Sequence, residues 1–185
     1  MMTMQALFLA AALSARHAPP TWDQTLPAEK RFKLVMFAET PGCVPEPPIS
    51  ICIPMYQAVL DLETGLVWER FPGTATLGWP EAAAACYASN LGGRGGWRLP
   101  TVEELRSLVD PSVPLPGPTL PPGHPFGELP TANPAPVFWS ATTVAGAPDL
   151  AWGVEFNGGE IRDGGKHGLG RLVWCVRGGQ GPDGR

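Results

Sequence analysis

Charge is scarce in this chain: only 16% of its 185 residues are charged, and lysine and arginine never form a run. With a formal net charge of −4, nothing in the sequence matches a phosphate backbone, which argues against a nucleic-acid partner. No apolar stretch approaches the roughly 20 residues that span a bilayer. Four cysteines occur, Cys43, Cys52, Cys86 and Cys175, but no C-x-x-C spacing supports a zinc site. The three histidines are scattered: His17 near the start, His124 in a proline-rich stretch, His167 in a glycine-rich turn. Neither a Gly-x-Ser-x-Gly nor a His-Glu-x-x-His motif is present. Residues 92–96, Gly-Gly-Arg-Gly-Gly, lack the Gly-Lys-Ser/Thr ending of a phosphate loop and follow no strand, so they read as a turn. The expectation is a protein without metal or cofactor that is not an enzyme.

Glycine and proline are abundant, 23 of each, and 44% of the residues are hydrophobic. That mixture predicts many turns and long ordered loops around one real core rather than a helical bundle. Met1 to Ala15 contains an apolar run, Ala6 to Leu13, followed by Ser14-Ala15. This resembles a short secretory signal, although no basic residue precedes the run. The alternative is a hydrophobic helix packed on the domain. The first reading places the protein outside the cell or on its surface; the second allows a cytoplasmic one. Residues 16–56 are punctuated by proline, with one short strand expected over Lys33 to Ala38. The division expected is an N-terminal apolar and proline-rich extension over 1–56, a domain over 57–179 and a flexible tail over 180–185.

Within the domain, Ala58-Val59-Leu60-Asp61 and Leu66-Val67-Trp68-Glu69 flank a glycine-containing turn and predict a β-hairpin. A helix is expected from Trp79 to Asn90, with Pro80 in its first turn and an alanine-rich body. Trp79, Ala83, Cys86 and Tyr87 share one face by spacing. A second helix begins at Thr101, where Thr101-Val102-Glu103-Glu104 forms a capping box and Val102, Leu105 and Val109 form the apolar stripe. Pro111 to Pro136 reads as a long loop. Short strands follow at Val137 to Ser140, Leu150 to Phe156, Glu160 to Arg162 and Leu172 to Val176, with turns at Gly158-Gly159 and Gly164-Gly165. Trp152, Val154 and Phe156 alternate with Ala151, Gly153 and Glu155, predicting one buried face. The even cysteine number allows three disulfide pairings, or four reduced thiols if the protein stays in the cytosol.

The set of motifs is more specific than any member. Thr64-Gly-Leu-Val-Trp68, Trp79 and Cys86, Gly95-Gly-Trp-Arg-Leu-Pro-Thr101, Trp139-Ser140, Trp152 to Phe156 and Cys175-Val-Arg-Gly178 occur in that order. Together they resemble the C-terminal domain of Lcl-type bacterial collagen-like adhesins. The resemblance implies an α+β fold of C-type-lectin-like form, two helices packed on short twisted antiparallel sheets with long loops. It implies a Cys86–Cys175 disulfide joining helix to last strand, which leaves Cys43 and Cys52 to staple a proline-rich loop. It assigns structural roles to Trp68, Trp97, Arg98, Trp139, Trp152 and Phe156. Glu-Pro-Asn, Gln-Pro-Asp and Trp-Asn-Asp, the triplets of calcium-dependent sugar binding, are missing. The family usually carries arginine before the final cysteine; here Trp174 stands there, and alternation from Cys175 turns it away from the core, as a ligand anchor or buried under the N-terminal extension or in an oligomer contact.

These readings place a recognition surface for a protein or glycan on the last strands and their loops. The candidate contacts are Ala151, Gly153, Glu155, Asn157, Glu160, Arg162, Asp163, Lys166, His167, Leu169, Arg171 and Trp174. Variable proteins of diversity-generating retroelements are similar and diversify such a C-terminal stretch. A second reading is an invariant adhesin module binding sulfated glycans through Arg94, Arg162, Lys166 and Arg171. A third is an enzyme related to formylglycine-generating enzymes, which use a C-terminal cysteine pair where this chain has only Cys175; separately, Ser140 is a nucleophile candidate only if a histidine such as His167 is delivered to it.

Overall fold

Local chemistry sets the elements. The computed structural model describes residues 26–36, 42–46, 49–53, 56–130 and 134–178. The apolar segment expected at Met1 to Ala15 and the tail 180–185 lie outside the described residues, as do the side chains of Cys43 and Cys52. A single helical turn, α1 (Ala28–Arg31), leads into β1 (Phe32–Met36). A separate ribbon pairs β2 (Gly42–Glu46) with β3 (Ile49–Ile53), in a register that sets Cys43 opposite Cys52. The predicted hairpin is β4 (Tyr56–Asp61) and β5 (Leu66–Glu69). Its turn closes through Gly65 N–H to the Asp61 carbonyl at 2.8 Å, with Gly65 at φ 70°, a conformation that favours glycine.

The first long helix, α2 (Trp79–Ala88), has Pro80 in its first turn and stops two residues before the expected end. Ala82 and Cys86 are its buried positions. Tyr87, expected on the same face, is 84% exposed. The buried stripe is centred on Ala82 and Cys86, i and i+4, and Tyr87 stands about 100° round the helix from Cys86, outside it. After β6 (Trp97–Arg98), α3 (Val102–Arg106) begins at the capping box. Thr101 Oγ1 accepts the Glu104 N–H at 3.2 Å, and Glu104 accepts the Thr101 N–H at 2.7 Å. The same Glu104 carboxylate takes both guanidinium arms of Arg98 at 2.7 and 2.6 Å, which raises the Arg98 pKa above its ordinary value. Arg98 also donates to the Leu99 and Gly178 carbonyls, tying helix, turn and last strand together.

The remaining strands are β7 (Val137–Val144), β8 (Ala147–Glu155), β9 (Ile161–Gly165) and β10 (Val176–Gly178). Two antiparallel sheets form the body, one ordered β1-β4-β5-β10-β6 and one ordered β7-β8-β9. The architecture is thus α+β, with few helices and antiparallel sheets. Gly164 and Gly165 are not a turn, as expected, but pair with Ala151 and Leu150 inside β9. The missing side chain of Gly164 serves a close approach described below.

Side chains alternate across the five-stranded sheet into two cores. One gathers Trp68, Phe126, Phe138, Phe156, Trp174 and Val176 with Leu105 of α3 and Leu108 just after it. The other gathers Ala58, Trp97, Leu99, Trp139, Ala151, Val173 and the Cys86–Cys175 disulfide beneath α2. The bridge implied by the family resemblance is therefore present. Both faces of β8 are buried too: Ala151, Gly153 and Glu155 are enclosed and Trp152 is half-buried. The expected one-sided alternation fails because each sheet face meets its own core.

Trp174 is the clearest correction. It is fully buried, its ring meeting Trp68, Phe126, Phe138 and Phe156 at centroid distances of 5.0–5.6 Å. Its indole N–H donates to the Glu69 carbonyl at 2.8 Å. Alternation does turn it away from Cys175, but into the aromatic core, which Leu120, Phe126 and Leu129 of the long loop cover.

Candidate recognition surface

Four of the twelve expected contact residues point into the protein or line its core: Ala151, Gly153, Glu155 and Trp174. Glu155 is a turn holder. Its carboxylate accepts backbone N–H groups from Asn157 at 2.7 Å, Gly158 at 3.1 Å and Glu160 at 3.3 Å, fixing the turn from β8 to β9. A buried carboxylate that accepts several N–H groups stays satisfied without a counter-ion. Asn157 is half-buried in that turn.

Lys166 and Arg171 hold the next loop by its base. The Lys166 ammonium donates to Thr143 Oγ1 at 2.9 Å and the Pro148 carbonyl at 2.8 Å, and stands 4.4 Å from the Trp79 ring centroid. The Arg171 guanidinium lies 4.4 Å over the Trp139 ring and donates to the carbonyls of Arg162 and Asp163. Burial lowers its pKa from the ordinary value. A side chain at Gly164 would collide with the Arg171 guanidinium, and one at Gly153 would collide with the Phe138 carbonyl and crowd Arg171 Nη1. The two glycines make room for the arginine, so β9 is propped from beneath by a cation stacked on tryptophan.

What this support presents is exposed: Glu160, Arg162, Asp163, His167 and Leu169, the last at 92%. Arg162 and Glu160 pair at 2.6 Å on the open surface. Beside the loop runs a cleft of about 470 Å³, bordered by Gly164, Gly165, Leu169 and Arg171 on one side and by Thr76 and Pro134 to Val137 on the other. The sequence reading missed that second wall. Pro134 and Pro136 belong to an aperiodic stretch, and nothing local says which surface such a stretch borders. Arg94 is exposed elsewhere, in the turn before Trp97.

The structural roles expected for the aromatic residues have geometry. Trp97 Nε1 donates to the Arg94 carbonyl at 2.7 Å and Trp139 Nε1 to the Leu77 carbonyl at 2.8 Å. Trp68 and Phe156 lie in the aromatic core and Trp152 packs against it. Ser140 is fully buried, and its hydroxyl donates to the Trp152 carbonyl at 2.8 Å. Among the described residues no group of three His, Cys, Asp or Glu side chains gathers to hold a metal, and no helix is long and apolar enough to cross a membrane.

A scaffold of two antiparallel sheets, closed by a disulfide from α2 to Cys175 just before β10 and carrying an exposed β8–β9 hairpin, defines the class: a domain suited to ligand recognition. The sequence model of the Lcl C-terminal domain matches residues 57–177, and the chain belongs to that family. No curated protein matches the chain.

Proposed function

We propose that this domain is a non-enzymatic recognition module on a C-type-lectin-like scaffold, which presents β9 and the loop after it to a protein or glycan ligand outside the cytoplasm. One observation carries the reading. The rim residues Glu160, Arg162, Asp163, His167 and Leu169 are exposed on β9 and the turns that flank it, while Ala151, Val154 and Glu155 of the neighbouring strand are buried and Arg171 stacks on Trp139. Recognition favours that division, because a rigid base lowers the entropy lost on binding. The Cys86–Cys175 bridge favours an oxidising compartment.

The same division supports diversification of the rim, as in the variable proteins of diversity-generating retroelements. Exposed positions tolerate substitution at little cost to stability, whereas core positions do not. Deep sequencing of the segment encoding Val137 to Arg177 across a population of the source organism tests this. Substitutions clustered at Glu160, Arg162, Asp163, His167 and Leu169, with Trp139, Trp174 and Cys175 constant, are the expected result. Changes spread equally over rim and core reject it. A uniform segment leaves a fixed ligand, and then any protein or glycan bound on an array must be lost when the five rim residues become alanine.

A further inference from the structure

Residues 73–77 wall the recognition cleft with Thr76 and turn Ala75 and Leu77 into a second groove on their other side. This groove, about 430 Å³, has Phe71, Ala75, Leu77, Ala85 and Ala88 as apolar walls, and Glu69 lines it next to Cys175. Glu69 ends β5, and its Oε2 accepts the Cys175 N–H at 3.0 Å. Among the described residues, Oε1 receives no hydrogen bond and the carboxylate forms no ion pair. That oxygen is not fully enclosed, and Glu69 is one of the residues that line the groove. The neighbouring Arg70 is directed elsewhere, 5.0 Å over the Phe71 ring and onto the Pro125 carbonyl at 3.0 Å.

A carboxylate among apolar walls loses hydration that only a cation or a strong donor restores. Burial raises the Glu69 pKa above its ordinary value, the signature of that loss. The geometry selects the kind of cation. A guanidinium favours two parallel bonds to both carboxylate oxygens or a free aromatic face. Here one oxygen is taken by Cys175 and the Phe71 ring already carries Arg70. A compact ammonium needs one oxygen, and its methylene stem suits alanine walls.

We propose that this groove receives a primary ammonium on an aliphatic stem, the lysine side chain of a partner protein, with Glu69 Oε1 as its acceptor. The assignment is independent of the rim formed by β9. The test is a titration of the ¹⁵N-labelled full chain at neutral pH with Nα-acetyl-lysine methylamide, followed by amide shifts. Saturable shifts at Gly73, Leu77, Ala85 and Ala88 are expected, at least tenfold weaker with the norleucine and arginine analogues. Glu69→Gln should abolish them while leaving the rest of the spectrum in place. If Glu69→Gln does not fold, Ala85→Leu, on the exposed side of α2, should weaken binding at least tenfold by narrowing the groove. No saturable shift with the lysine probe, equal binding of either analogue, or undiminished binding by a folded variant overturns the proposal.

Discussion

Trp174 and Leu169 lie five positions apart and have opposite fates. Trp174 sits where four aromatic rings converge, whereas Leu169 is almost wholly in solvent. Trp174→Ala should cost about 3–5 kcal/mol in urea unfolding, and Leu169→Ala should stay within about 0.5 kcal/mol. Comparable losses at the two would contradict the burial described. Glu69 carries a pH dependence whose sign follows from its raised pKa. The folded protein holds this proton more tightly than the unfolded chain, so the contribution of Glu69 is most favourable below the ordinary carboxylate value. It declines as pH rises through the raised one. Melting curves from pH 4 to pH 7 should therefore show Glu69→Gln gaining stability relative to the parent as pH rises; a constant difference would contradict the shift. The sequence displays the alternation of Trp174 against Cys175 correctly, but not what covers Trp174. Its cover comes from Leu120, Phe126 and Leu129, in a proline-rich stretch with no period to read. Glu69 is likewise silent in sequence, because a polar residue at the end of a hairpin strand ordinarily faces water.

At the scale of elements, the parts with local signals are the ones legible in sequence. The β4–β5 hairpin follows from its glycine turn, and α3 from a capping box whose two reciprocal bonds both form. Thr101→Ala should cost about 1 kcal/mol in chemical denaturation; Thr101→Ser should restore most of that, and a loss that serine leaves unrepaired would place the role of Thr101 elsewhere. The boundary of β9 was not legible. Gly164-Gly165 carries the composition of a turn, yet both pair within β9, and Gly164 is needed because the Arg171 guanidinium packs against it. Gly164→Ala should displace Arg171 from Trp139 and weaken the support of the rim. A changed indole fluorescence with a lower melting temperature would register it, and an unchanged spectrum would show that the arginine yields freely.

At the scale of the whole molecule, the Cys86–Cys175 bridge spans 89 residues and fastens the second core. By loop-closure entropy such a bridge contributes about 4 kcal/mol. Paired replacement of Cys86 and Cys175 by alanine should lower the unfolding free energy by about that amount; a loss under 1 kcal/mol would show that two packed cores suffice without it. The family resemblance made this long-range pairing legible, since cysteine spacing alone leaves three choices open. The order of strands has a consequence for how the molecule is made. β10 lies between β5 and β6, so two strands formed early share no neighbour until Val176–Gly178 arrives. The nascent chain cannot close its central sheet, bury Trp174 or offer Cys86 its partner before these last residues leave the ribosome. A product broken off anywhere upstream of Val176 leaves both cores open to proteolysis.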